Sequence, residues 1–238
     1  MNTPYGIHMA RNCESCSLRE SGYFCDLPAP ALKDLSAVRM GSVYPEGAVL
    51  FVEKQEPRGV FLLCEGEVKL SISSSAGKTL ILRIAKPGEI LGLMPVLSGT
   101  PYEVTAETLH PCQIAYLNRE DFLRLINKHP EIMERSLAHL SALYSGACEQ
   151  LRTVGLSGSA PEKMARLLLE WSSNGKTTHE GTQLTVPLTH EEIAEFIGST
   201  RETVTRTLSD FKSKKLVTIH GSTMTIRNIS ALEEMVTA

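Results

Sequence analysis

Residues 188–217 read LTHEEIAEFIGSTRETVTRTLSDFKSKKLV, and this stretch decides the fold. Thr189-His190-Glu191-Glu192 fits a capping box, in which the threonine hydroxyl caps a helix and the glutamate reaches back. Ile193, Ala194 and Ile197 form that helix's inner face, and Gly198 suits a tight turn. Ser199-Thr200-Arg201-Glu202 then repeats the box. Two capped helices joined by a glycine turn predict a helix-turn-helix.

The second helix sorts by face. Val204, Leu208 and Phe211 recur at i, i+4, i+7, with Glu202, Thr205, Arg206 and Ser209 opposite and Arg201 beside them. Between 201 and 215, five basic residues (Arg201, Arg206, Lys212, Lys214, Lys215) stand against Glu202 and Asp210. The chain's formal net charge is −3, so any nucleic-acid surface has to be local, and this is the place. Arginine donates a bidentate pair to guanine, and glutamate accepts from cytosine N4. The candidate DNA-contacting residues are Thr189, Ser199, Thr200, Arg201, Glu202, Thr205, Arg206, Lys212 and Lys214. The bland alternative, a solvated charged face, leaves the caps, turn and lysine cluster unexplained together.

The flanks extend the pattern. Downstream, 216–219 and 224–227 form a hairpin around Gly221-Ser222. Upstream, a helix over 162–171 follows a hinge-like GLSGS at 155–159. A long helix precedes it, over 131–154. Its Leu140, Leu143, Ala147, Leu151 and Val154 make a coiled-coil-like stripe that predicts a homodimer seam. The competing reading is an amphipathic helix lying on its own domain. From 43 to 117 short apolar runs alternate with turn signals, as in a sandwich or barrel. The expected architecture is α+β: a cysteine-containing arm (1–27), a sensory β-roll (28–130), a dimerisation helix (131–155) and a winged helix-turn-helix (156–238).

Composition sets bounds. With 42% hydrophobic and 21% charged residues the chain reads as an ordinary globular protein. No apolar run approaches the roughly 20 residues of a membrane span, and the first residues lack a signal-peptide pattern. A cytoplasmic protein with no membrane partner is expected. G-x-S-x-G, Walker A and Rossmann fingerprints are missing, which argues against an enzyme.

The 188–217 stretch closely resembles the winged helix-turn-helix of the CRP/FNR regulators. The run from Tyr44-Pro45-Glu46-Gly47 through Glu65-Gly66-Glu67-Val68 to Pro87-Gly88-Glu89 resembles their cyclic-nucleotide-binding-type β-roll. The resemblance implies a homodimer on an inverted-repeat site in double-stranded DNA, with RNA polymerase as a further partner. It assigns half-site reading to Arg201, Glu202 and Arg206. Thr205 stands where relatives carry glycine or serine.

Three sensory chemistries are open. A cyclic nucleotide needs a cation for its buried phosphate. Members that bind cyclic AMP use a glutamate and an Arg-Ser pair, where this chain has Leu93, Tyr102 and Glu103, with no arginine between Arg83 and Arg119. A metal centre is the second. Cys13, Cys16 and Cys25 form C-x2-C-x8-C, and the FNR resemblance implies a [4Fe–4S] cluster with Cys112 as fourth ligand. Four thiolates also suit zinc. The third is a metal-free regulator that responds to thiol oxidation or a small ligand. Cys64 and Cys148 read as small apolar packing residues.

Overall fold

A computed structural model describes residues 5, 13–14, 16–20, 23–173, 175–186 and 188–237. Much of the expected 1–27 arm lies outside the described residues, but Cys13, Cys16 and Cys25 lie within them. The fold is α+β, in two compact units. One comprises residues 1–74 and 82–146, the other 75–81 and 147–238.

The first unit begins with 3-10 turns at Ser17–Glu20 and Tyr23–Cys25, then α1 (Ala29–Val38). Strands β1 (Met40–Tyr44), β2 (Val49–Phe51), β3 (Gly59–Glu65), β4 (Val68–Ser73), β5 (Thr79–Ala85) and β6 (Ile90–Leu91) follow. After α2 (Leu93–Ser98) come β7 (Thr105–Thr108) and β8 (Cys112–Asn118), then α3 (Arg119–Lys128). One sheet runs β1-β8-β3-β6 and the other β2-β7-β4-β5. Side chains alternate across a strand, so the first sheet has two distinct faces. Phe61, Leu63, Cys112 and Ile114 meet Phe51, Val68, Leu70 and Ala106 of the second sheet in one core. Leu62, Ala115 and Leu117 point the other way and are covered by Phe24, Leu32, Leu35, Phe122 and Ile126. This second face carries the N-terminal cysteines.

Helix α4 (Pro130–Gly155) matches the long helix expected over 131–154 and belongs to both units. The second unit then has α5 (Ala160–Ser172), β9 (Lys176–Thr178), β10 (Gly181–Thr185), α6 (His190–Ile197) and α7 (Arg201–Ser213). Strands β11 (Val217–His220) and β12 (Thr223–Ile226) and helix α8 (Ile229–Thr237) complete it. Its wing is a four-stranded sheet, β11-β12-β10-β9, larger than the expected hairpin. Leu168, Ile193, Phe196, Val204, Leu208, Phe211, Val217 and Ile226 are all buried here. Gln150 is a buried amide whose Nε2 donates to the Ile81 carbonyl (3.0 Å) and the Phe196 carbonyl (2.6 Å). It thereby satisfies backbone acceptors of both β5 and α6.

Candidate functional site

The expected capping box at α6 is present. Glu192 N–H donates to Thr189 Oγ1 (3.2 Å), and Thr189 N–H donates to a Glu192 carboxylate oxygen (3.0 Å). Gly198 closes the helix with φ at 60°, a left-handed value that glycine accepts without strain. Thr189→Ala is expected to cost about 1 kcal/mol of stability, measured by chemical denaturation. The second box, expected over residues 199–202, is replaced by a simple cap one residue later. Thr200, not Ser199, caps α7 by accepting from Thr203 N–H (3.3 Å). Glu202 instead accepts from its own N–H and the Thr200 hydroxyl. Those bonds, with Arg201 adding attraction, lower its carboxyl below the ordinary value.

Val204, Thr207, Leu208 and Phe211 bury one side of α7. Arg201, Glu202, Thr205, Arg206 and Ser209 line its open opposite surface. Lys212 is exposed, whereas Lys214 is engaged with Asp210 at 2.9 Å. His190 was not anticipated. Its Nδ1 shares a 2.9 Å hydrogen bond with Thr205 Oγ1, so the first residue of α6 orients a hydroxyl on the outer face of α7.

On α4 the exposed apolar side chains are Met133, Leu137, Tyr144 and Leu151, the last two 74% and 71% exposed. With Leu140 and exposed Ala147 they stand at spacings 4, 3, 4, 3, 4, a strict heptad pattern. The expected stripe shares Leu140, Ala147 and Leu151 with it. Leu143 is half-buried and gives way to Tyr144. Val154 turns inward: a Cβ placed on Gly198 would stand 3.1 Å from its Cγ1.

Cys13, Cys16, Cys25 and Cys64 line one cavity, together with Leu18, Phe24, Leu32, Leu35, Arg39 and Leu62. Burial pushes the Cys25 thiol up to about 12, with the neighbouring thiols adding and Arg39 opposing. Burial likewise pushes Cys64 up to about 11, against the pull of Arg39. The thiols share a cavity but do not stand at ligand spacing: among the described residues no three His, Cys, Asp or Glu are arranged to hold a metal ion. Cys112 is not brought to this group. It is buried in the core between the sheets, with its thiol against the carbonyls of Glu67 (3.4 Å) and His110 (3.2 Å). The arm is fastened to α4 nearby. Asp26 pairs with Arg135 at 3.1 Å, and the Phe24 ring meets His139 edge-on at 6.2 Å.

In the β-roll, Leu93 is buried among apolar residues. Tyr102 is buried as well. Its ring stacks on Phe51 at 4.0 Å and its hydroxyl donates to the Gly59 carbonyl at 2.8 Å. Glu103 is exposed beside it.

Residues 42–129 match the cyclic nucleotide-binding domain, and residues 162–235 match the Crp-like helix-turn-helix domain. The chain is 29% identical over 210 residues to the transcriptional activatory protein AadR of Rhodopseudomonas palustris, spanning 87% of this chain and 86% of that protein. It is 28% identical over 195 residues to the global nitrogen regulator of Synechococcus elongatus, spanning 80% and 87%. FixK2 from Bradyrhizobium japonicum has a similar structure, with a TM-score of 0.75 at 21% identity over 84% of this chain and 98% of that one. Both domains occur in the family's order on either side of one long helix, and the chain belongs to the CRP/FNR family of transcriptional regulators.

Proposed function

We propose that this chain is a homodimeric, sequence-specific DNA-binding regulator that reads an inverted repeat with α7 and takes its signal through the N-terminal thiols. The observation that carries DNA reading is the outward face of α7. It presents Arg201, Glu202, Thr205 and Arg206 together on a helix whose other side is buried. Arg206→Ala is expected to cost about 1–3 kcal/mol at the preferred site and to relax base choice there. Lys212→Ala should weaken all sequences alike and reduce the salt slope by about one. Binding-site selection checks both, and unchanged specificity in Arg206→Ala refutes the assignment.

For the signal, the gathering of Cys13, Cys16 and Cys25 in one cavity supports a thiolate-held metal centre, for which the family resemblance gives a [4Fe–4S] cluster. Such a cluster supplies sensitivity to oxygen. The chain's own residues supply the route onward. Phe24, next to Cys25, packs on His139, and Leu140 beside it lies on the heptad face of α4. A change of arm position therefore bears on the dimer seam without touching DNA. Protein purified without oxygen should hold iron and sulfide, and air should remove them and weaken operator binding. Zinc in their place, with DNA binding indifferent to air, refutes oxygen control.

A cyclic nucleotide fits these residues poorly. The buried phosphate needs a cation, and the positions that would supply the contacts hold Leu93, Tyr102 and Glu103. Tyr102 is already engaged with Phe51 and Gly59.

A further inference from the structure

The geometry points to Cys64, not Cys112, as the fourth thiolate beside Cys13, Cys16 and Cys25. This assignment rests on the metal-centre reading above and fixes its ligand set. Three observations carry it.

The first is strand parity. In β3, Leu62 and Cys64 share a face, the one covered by Phe24, Leu32 and Leu35. In the neighbouring β8, Cys112 and Ile114 share the other face, between the two sheets. The sheet itself therefore separates the Cys112 thiol from the arm. Bringing Cys112 across requires a one-residue slip of β8, which would also turn Ile114 out of its core and Gln113 into it. Five register pairs to β1 and the ladder to β3 hold β8 against that slip.

The second is the local space around Cys112. A Cβ placed on Gly66 would stand 2.5 Å from its sulfur, and Gly66 has φ at 91°. The thiol occupies the room that this glycine leaves open. That is a packing role with a visible reason, and it needs no ligand.

The third is charge. A metal ion or cluster with four thiolates carries net negative charge, which is costly beside apolar side chains unless a cation is near. Arg39 lines the same cavity and acts electrostatically on Cys13, Cys25 and Cys64. The charged groups that act most on Cys112 are instead the carboxylates of Glu67 and Glu65. The cavity has a counter-charge in its lining, whereas carboxylates oppose a thiolate at Cys112. Cys64 also lies where β3 slips register against β8, between Leu63 and Glu65, so the ladder is irregular at its position.

The test uses the full chain, reduced and free of oxygen. Cobalt(II) is one probe, because the visible bands and sulfur-to-metal charge transfer of a tetrahedral complex count its thiolates. Iron with sulfide is the other, read as iron and acid-labile sulfide per monomer. Wild type should bind with a four-thiolate spectrum. Cys64→Ser should lose that spectrum and weaken cobalt binding by about 100-fold or more, beyond the 10–100-fold typical of outer-shell changes. Cys112→Ala should keep both. Circular dichroism of each variant separates ligand loss from unfolding, and Cys64→Ala repeats the test without a hydroxyl. A full four-thiolate centre in folded Cys64→Ser and Cys64→Ala, lost instead in folded Cys112→Ala, overturns the assignment and leaves the metal reading standing. Wild type that takes up neither probe overturns the metal reading, and the assignment with it.

Discussion

Tyr144→Glu is expected to convert the dimer to monomers and to lower apparent operator affinity by about 10²–10⁴-fold, the avidity gained when two half-site readers are linked. Tyr144 is 74% exposed in the middle of the apolar heptad face of α4. Two-fold symmetry places a residue at the centre of a parallel seam near its own copy. Glutamate there sets two like charges into a low-dielectric contact, which is costly to hold. The second unit is untouched, so a single half-site should be bound as weakly by the variant as by wild-type monomers. Sedimentation and operator titration at fixed salt check the two effects separately. Leu143→Glu is the control for where the seam lies. Leu143 is half-buried beside the heptad face, so its charge should perturb folding more and dimerisation less. A Tyr144→Glu protein of unchanged dimer mass puts the seam elsewhere.

Tyr102→Ala should destabilise the first unit by about 3–5 kcal/mol, as for other large aromatic truncations in cores. The ring is buried, stacks on Phe51 and belongs to the core between the sheets. Truncation leaves a cavity and also strips the Gly59 carbonyl of its hydroxyl donor. Tyr102→Phe isolates the second effect at about 1–3 kcal/mol, the cost of an unsatisfied buried acceptor. Denaturant titrations of the three proteins check the order. The cavity made by Tyr102→Ala should not bind cyclic AMP in calorimetry, because Glu103 remains beside it and Leu93 offers no polar contact.

The helix-turn-helix was legible because its information is local. Thr189, Glu192 and Gly198 are caps and turns that act within a few residues, and each stands as its type requires. The slip from Ser199 to Thr200 shows the limit of that reading. A box pattern does not say whether the helix begins at residue 200 or 201, and that offset moves Glu202 out of the capping position. The heptad of α4 was legible as a period but not as a face. Leu143 and Tyr144 are adjacent in sequence and about 100° apart around the helix, so the choice between them depends on which side the β-roll occupies.

The cysteines mark the boundary most sharply. C-x2-C is a sequence signal, but which face Cys64 or Cys112 takes is set by pairing between β3 and β8, some 50 residues apart. The irregularity between Leu63 and Glu65 carries no composition signal that fixes it. Strands β9 and β10 and helix α8 went unread for a similar reason. Short, polar Lys176–Thr178 becomes a strand only because β10 is there to pair with it.

Gly92 and Tyr102 interlock in the β-roll. Gly92 has φ at 74°, and a Cβ there would stand 2.7 Å from Tyr102 Cε1. A side chain at 92 is therefore opposed twice, by the left-handed backbone and by the ring, and losing the ring relieves only the second while exacting the penalty of a core cavity. An arginine at 102 is not a neutral change, because it removes the ring that fills the core between the sheets. The interlock works as a ratchet on sequence change: the glycine leaves room for the ring, and the ring helps keep the glycine from being replaced.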